Sequence, residues 1–305
     1  MPACSIHSFL EMRERARQLG PKRVAVVMAD DLVALAAVQD AWQLEIAIPV
    51  LIGDETKIRS LAAASGFDDL LRQAEFVPTD QPAAVGAKMA GDGEVDVILK
   101  GHLRTDELLR AVLDKQAGLR TGCLLSDVLF YEDTLSGNKR LVGITDGGLN
   151  VAPNRDQKEQ IIRNAVSVLH CLGFARPKIA VMSATESVSE NLPSTMDAAA
   201  LTEIGRQGGF GEADVYGPLA LDNALLLSAA ETKGIRNPVA GQADCLVVPS
   251  IEAGNLLGKA VKYLGGSQCA HVVVGAKVPI LIPSRVESAD DKLNAIALGV
   301  IYASR

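Results

Sequence analysis

The sequence predicts an α/β protein, and three observations carry that reading. Short β-branched apolar runs alternate with helix-like segments along the chain. The runs are continuous rather than alternately apolar and polar, as in strands covered on both faces. The 305 residues, 48% hydrophobic and 22% charged, suit an ordinary globular chain of two domains, or one large domain, with a full core.

The elements follow in order. Residues 23–29 (RVAVVMA) read as the first strand, followed by Asp30-Asp31 and a helix reaching residue 44. Strands at 46–53 (IAIPVLIG), 74–78 and 95–100 (VDVILK) come next, with helices near 56–65, 80–90 and 105–115. Residues 123–132 and 140–145 are longer strands joined by the turn formers Ser136-Gly137-Asn138, a hairpin extension. Residues 155–172 form a helix with Ile161, Ile162, Ala165, Val168, Leu169 and Leu172 on one broad face and Asn154 as N-cap. Strand 178–182, helices 194–207 and 221–232, strand 245–249 and helix 252–264 continue the alternation. Strands 271–275 and 278–283 and a helix at 287–302 complete it. No fixed-period repeat occurs, and no Gly/Ser linker marks a boundary.

Charge and targeting signals narrow the partners. Lys+Arg 30 against Asp+Glu 37 gives a net charge of -7, so no nucleic-acid partner is expected, although a local basic site for a small anion is compatible with it. The N-terminal MPACSIH has no basic region followed by an apolar run. No window approaches the ~20 unbroken apolar residues of a membrane span, so no membrane partner is expected. The five cysteines are odd in number, widely spaced and never in a C-x-x-C pair, which fits a reduced, cytoplasmic setting.

Several chemistries lack their motifs. Ala253-Gly-Asn-Leu-Leu-Gly258-Lys259-Ala260 superficially resembles a phosphate-binding loop. Its first Gly is Ala, its last position lacks the Ser or Thr that holds Mg²⁺, and its apolar spacing is that of a helix body. No G-x-G-x-x-G follows the first strand; Asp30-Asp31 stands there and repels a pyrophosphate. His7, His102, His170 and His271 show no metal-ligand spacing, so no metal is expected. No G-x-S-x-G elbow occurs. Cys171 and Cys245 sit in apolar surroundings that suit small buried hydrophobes.

Other segments keep their interest. Val278-Pro-Ile-Leu-Ile-Pro-Ser284-Arg285 runs from a buried strand towards a helix start, placing polar groups at the carboxyl end of a strand. Ser284 brings a hydroxyl, Arg285 a guanidinium suited to phosphate, and Asp290 and Asp291 bring carboxylates, a set equipped to bind an anion and move a proton. Ser288-x-x-Asp291 equally resembles a capping box with Asp in place of Glu. Lys100-Gly101-His102-Leu103-Arg104-Thr105 follows a strand and opens a helix carrying Arg110, a reasonable phosphate site, or simply a Thr105 cap beside solvated arginines. Residues 143–150, with Asp146, two glycines and Asn150, read as a binding loop or a plain one. Asn255 and Glu252 lie at a βα junction, where Glu252 suits a first helical turn.

Taken in order and spacing, these segments resemble a known family over nearly the whole chain. Pro218-Leu-Ala-Leu-Asp222-Asn-Ala, Pro238-Val-Ala-Gly241-Gln-Ala-Asp244, Ile251-Glu-Ala-Gly254-Asn255 and Ser284-Arg285 are similar to the phosphate acetyl/butyryltransferase family. Lys100-Gly101 and Ile144-Thr-Asp146-Gly-Gly-Leu-Asn150-Val-Ala-Pro resemble its butyryltransferase branch more than its phosphotransacetylase branch. The resemblance implies acyl exchange between coenzyme A and inorganic phosphate: acyl-CoA plus phosphate gives acyl phosphate plus CoA. Coenzyme A is then a substrate, with no metal or redox cofactor.

The resemblance also implies a fold and a site. The fold is two α/β lobes around a cleft, of the isocitrate/isopropylmalate dehydrogenase kind, in a homodimer or larger homo-oligomer. Here the lobes are drawn as residues 1–146 with 277–305, and residues 147–276. Ser284 positions or polarises the acyl group, Arg285 holds phosphate, and Asp291, seven residues beyond the serine, is the base, with Asp290 as its rival. Arg110 is a second phosphate-binding arginine; Lys100, Thr105, Asp146, Asn150 and Asn255 complete the expected substrate-binding set. Val286 stands where the acetyl branch usually has Gly. The alternatives are a phosphate acetyltransferase and, in another class, a non-catalytic acyl-CoA-binding two-lobe protein. A nicotinamide-dependent dehydrogenase lacks its fingerprint.

Overall fold

The computed structural model describes residues 5–134, 139–284 and 286–305. The chain forms two compact α/β units. A discontinuous unit comprises Leu10–Cys123 and Ala270–Arg305, and a central unit comprises Leu124–Cys269 with the segment ending at Phe9. The first boundary therefore falls at 123/124 rather than 146/147, and the second at 269/270 rather than 276/277. The physical reason is strand pairing. Arg140–Thr145 pairs in parallel with Cys245–Val247, so the hairpin at 126–145 belongs with the central sheet.

In the discontinuous unit the sheet runs in the order Glu75–Pro78, Ala47–Gly53, Lys22–Val27, Val97–Lys100, Ile280–Leu281 and Cys269–Val274. Pairings are parallel except for the last, where Val273 faces Ile280 in antiparallel register. Val24 to Val27 are all fully buried, which explains their unbroken apolar pattern. Asp31 caps the helix Leu32–Gln43 by accepting the Ala34 N–H at 2.9 Å. The helix Ala289–Ala303 packs against both this helix and the sheet, and every residue from Asp291 to Tyr302 is buried. A helix apolar on nearly all sides is the expected sequence of such a position. The structure adds two helices outside the sequence reading, Phe9–Gln18 and the short Asp68–Gln73.

The central unit orders its strands Ser126–Asp133, Arg140–Thr145, Cys245–Val247, Lys178–Met182 and Asp214–Leu219. The first two are an antiparallel hairpin and the rest pair in parallel. The turn residues Ser136, Gly137 and Asn138 lie outside the described residues. Asn154 caps Arg155–Cys171 in a full capping box with Gln157. Three differences from the pattern have local causes. Asp214–Leu219 is a strand that Gly217-Pro218 concealed. The helix expected at 221–232 breaks at Leu226, whose extended backbone separates Leu221–Leu225 from Leu227–Thr232. The helix expected at 252–264 is Ile251–Lys259, widening into a π-helical turn at Ala260–Leu264. Among the described residues, no helix is long and apolar enough to cross a membrane.

Candidate active site

The carboxyl ends of Lys22–Val27, Val97–Lys100 and Ile280–Leu281 lie side by side, with Val27 facing Lys100 and Leu281 facing Leu99 in register. Open α/β sheets bind ligands beyond this edge. Three sequence-predicted groups stand at or just beyond these strand ends in the chain. Lys100 ends its strand and is 5% exposed, its ammonium donating to the carbonyls of Gly101 at 3.3 Å and Leu103 at 3.4 Å. Those contacts partly repay the desolvation of a buried cation. Gly101 is required by close approach: a Cβ there would sit 2.2 Å from the Met28 carbonyl oxygen.

The helix Thr105–Leu113 follows. Arg104, not Thr105, occupies its cap position, without a side-chain capping bond. Asp106 receives Arg104 Nε at 2.9 Å and Arg110 Nη2 at 2.6 Å. The Arg104 hydrogen bond, then the charges of Arg104 and Arg110, hold the Asp106 carboxyl below the usual range. Arg110 is 79% exposed, so a solvated anion reaches it in competition with Asp106.

Ser284 is exposed just past its strand, and its carbonyl accepts the Glu287 N–H at 3.1 Å. Arg285 lies outside the described residues. Beyond it the chain enters the terminal helix through the capping box that the spacing suggested. Ser288 Oγ accepts the Asp291 N–H, and Asp291 Oδ2 accepts the Ser288 N–H at 3.0 Å. Asp291 is thus a buried, bonded carboxylate, whereas Asp290 is 58% exposed and ion-paired with Arg13 at 2.9 Å.

The other predicted residues belong to the central unit, and three of them form one network. Asp146 Oδ1 accepts the Gly148 and Leu149 N–H groups, each at 2.8 Å, and Oδ2 accepts Asn150 Nδ2 at 2.6 Å. Asn150 also donates to the Leu125 carbonyl at 2.9 Å, and Asn255 donates to the Gly147 carbonyl at 3.4 Å. Burial pushes the Asp146 carboxyl up, and the negative charge of Asp127 adds to it; the bonds from Gly148, Leu149 and Asn150 oppose both. Gly147 and Gly254 let this loop meet the start of Ile251–Lys259, for a Cβ on Gly254 would lie 2.7 Å from Gly147 Cα. The residues that mimic a phosphate-binding loop are the body of that helix.

Sequence reading missed three polar side chains. Asp127 is buried beside Asp146, and a lone carboxylate near the start of the apolar run 126–131 was its signal. Glu287 is buried with Oε1 3.5 Å from His271 Nε2. Lys292 is buried against Asp31, and nothing in its spacing distinguished it from a solvated lysine.

Two further features limit the chemistry. A cavity of about 630 Å³ beside the same sheet edge is lined by Asp30, Asp54, Glu55 and Asp80 against one ammonium, Lys57, which is the wrong sign for phosphate. Burial pushes the Cys245 thiol up, away from the thiolate a nucleophile needs. Among the described residues, no group of three His, Cys, Asp or Glu side chains is placed to hold a metal ion.

A family model described as phosphate acetyl/butaryl transferase matches residues 69–300. The chain belongs to this family. The phosphate butyryltransferase of Clostridium acetobutylicum is 38% identical over 301 residues, covering 98% of this chain and 99% of its own. The phosphate acetyltransferase of Thermotoga maritima is 36% identical over 296 residues, covering 97% of this chain and all of its own. Similarity to the two branches of the phosphate acetyl/butyryltransferase family is therefore nearly equal. The crystal structure of a branched-chain phosphotransacylase from Enterococcus faecalis aligns with a TM-score of 0.80 at 26% identity, covering 92% of this chain and 99% of that one.

Proposed function

We infer that this protein is an enzyme that exchanges a short-chain acyl group between coenzyme A and inorganic phosphate, with butyryl-type substrates favoured. The observation that supports it is that Lys100, Ser284 and the Asp291 turn follow neighbouring strands at one carboxyl edge of a parallel sheet, in a chain of this family. The Asp146 and Asn150 motif favours butyryl over acetyl use, with acetyl transfer as the alternative. A non-catalytic acyl-CoA-binding role has no observation in its favour.

The chemistry proceeds by addition and elimination at the acyl carbon. In one direction Asp291 accepts the proton of the attacking phosphate as its oxygen adds to the thioester carbonyl; the adduct then collapses, the C–S bond breaks, and that proton passes from Asp291 to the sulfur, so that CoA leaves as the thiol. In the reverse direction Asp291 takes the thiol proton, the sulfur adds to the carbonyl of acyl phosphate, the acyl C–O bond breaks, and phosphate leaves with the proton returned from Asp291. A thiol of pKa about 8.5 is only a few per cent thiolate at neutral pH, so a positioned base contributes ~10²- to 10⁴-fold in rate. Arg110 and Arg285 supply charge-assisted contacts to phosphate, and Ser284 addresses the acyl oxygen. Thr105, Asn150 and Asn255 fill out substrate binding, with no cofactor beyond the substrate CoA.

The dehydrogenase-like arrangement of two lobes about a cleft, the homo-oligomer and the cytoplasmic setting belong to the same proposal. In support of the homo-oligomer, Leu256, Tyr263 and Leu264 are 73%, 56% and 88% exposed in one short stretch of the central unit. The test is CoA-thiol release from acetyl-, butyryl- and longer acyl-CoA with and without phosphate, with acyl phosphate trapped as the hydroxamate. Absent release, or release indifferent to phosphate, would sink the transferase reading.

A further inference from the structure

Lys292, which is buried, and Asp31, which is partly so, form an ion pair between elements 261 residues apart: Nζ lies 3.2 Å from Oδ1 and 3.5 Å from Oδ2. Lys292 is 2% exposed and Asp31 17%. Pairs of this kind contribute little net stability, because desolvating each ion costs several kcal/mol, and fixing a geometry is one documented use. Lys292 directly follows Asp291.

We propose that the Asp31–Lys292 pair is a positioning element that sets the rotation of the helix turn carrying Asp291. The inference rests on the reading of Asp291 as the base. Successive helical residues are about 100° apart around the axis, so Asp290 and Asn294 share a side, Asp291 lies next to it and Lys292 lies beyond. Arg13 grips the first side, donating to Asp290 Oδ1 at 2.9 Å and Asn294 Oδ1 at 2.8 Å. Asp31 grips Lys292 on the other. The turn is held on both flanks of Asp291, and the Lys292 N–H donates to the Ser288 carbonyl at 3.2 Å within it.

Asp31 is itself fixed. It caps Leu32–Gln43 at the end of the strand Lys22–Val27, where Asp30 lies 3.7 Å from His102 Nδ1. The Gly101 and His102 N–H groups donate to Val27 at 2.9 Å and Met28 at 2.8 Å. The strand end that carries the acidic dipeptide thus holds the Lys100 loop through backbone bonds, and Asp31 ties the Asp291 turn to the same sheet edge.

The test compares Asp31→Asn, Lys292→Met and the double variant, reading kcat and KM of phosphate-dependent acyl transfer together with Tm. The single variants are expected to lose on the order of 10- to 100-fold in kcat, as small misplacements do, with KM for acyl-CoA within about twofold of wild type. The double variant, which removes both charges, is expected to recover Tm but not kcat. In an Asp291→Asn background, Asp31→Asn is expected to cost no further kcat. Should the single variants fail to fold, Asp31→Glu, which keeps the charge and lengthens the arm, carries the same expectation. Wild-type kcat in the double variant or in Asp31→Glu, with Asp291→Asn slow, overturns the positioning role alone. Wild-type kcat in Asp291→Asn removes the base assignment and the inference with it.

Discussion

Ser288 and Asp291 hold each other at the start of the terminal helix. The serine hydroxyl donates to Asp291 Oδ2 at 2.6 Å, the serine N–H donates to the same oxygen, and the Asp291 N–H donates back to Ser288 Oγ at 3.2 Å. The carboxylate proposed as the base therefore also caps its helix, and one substitution separates the two duties. Asp291→Asn keeps a carbonyl oxygen for the cap, itself worth ~1 kcal/mol, but loses the proton acceptor. We expect Tm to move by only a few degrees and kcat to fall about 10²- to 10⁴-fold. Lost stability at wild-type kcat would leave Asp291 a cap. Asp290→Asn removes the exposed charge pair with Arg13 but keeps a carbonyl oxygen for it, and Arg13 still holds Asn294, so kcat is expected to stay near wild type.

Asp106 sets the terms on which Arg110 meets an anion, since it engages Arg104 and Arg110 together. Arg110→Lys removes a planar fork suited to grip phosphate by two parallel bonds, the role proposed for Arg110. We expect phosphate KM to rise about tenfold with a smaller change in kcat. Asp106→Asn removes a competing carboxylate, so phosphate KM should fall at low ionic strength and the gain should shrink as salt screens it. Steady-state kinetics over phosphate and salt checks both; an unchanged phosphate KM in Arg110→Lys would remove this arginine from the site.

How much of this was legible in the sequence depended on whether the signal was local. The strand 22–27, the Asn154 cap and the Ser288–Asp291 box were readable because neighbouring residues settle them. Lys292 was not, because its partner Asp31 is 261 positions away and a lysine between Asp291 and Leu293 in the first turns of a helix reads as solvated. Asp127 was visible only as an anomaly in an apolar strand, without its neighbour across the hairpin. The boundary at 123/124 was hidden for the same reason, being set by the pairing of Arg140–Thr145 with Cys245–Val247. Family resemblance supplied the roles of Ser284, Arg285 and Asp291, which spacing alone left divided between capping and chemistry.

The glycines of the Asp146 loop make a separate prediction. A methyl on Gly254 would lie 2.7 Å from Gly147 Cα, 2.8 Å from Val248 Cγ2 and 3.0 Å from the Asp146 carbonyl oxygen. Two of these neighbours are backbone, so the helix start must shift, and overpacking of this kind costs about 1–3 kcal/mol. Asn255 follows Gly254 directly and would move with it. Gly254→Ala should therefore lower Tm and raise KM for acyl-CoA, whereas Gly266→Ala, where a Cβ meets nothing within 4 Å, strains only its φ of +67° and should leave KM unchanged. An acyl-CoA KM identical in all three proteins would remove the Asn255 junction from substrate binding.

Asp146 links this loop to pH. Its carboxyl is pushed up by burial first and by the charge of Asp127 second. A folded value above the unfolded one, about 3.9, means that the folded state holds the proton more tightly. Stability is then greatest below the unfolded value, declines as pH rises from it to the folded value, and is flat above. Asp146→Asn has no proton to lose, so the stability of wild type relative to this variant should fall as pH rises from about 4 and then level off. Asp127→Asn, which removes the neighbouring charge, should shrink that decline without abolishing it, since burial remains. Urea unfolding of the three proteins between pH 4 and 7 measures both differences. A wild-type advantage that stays constant with pH, or grows, would show that the hydrogen bonds from Gly148, Leu149 and Asn150 outweigh burial at this carboxylate.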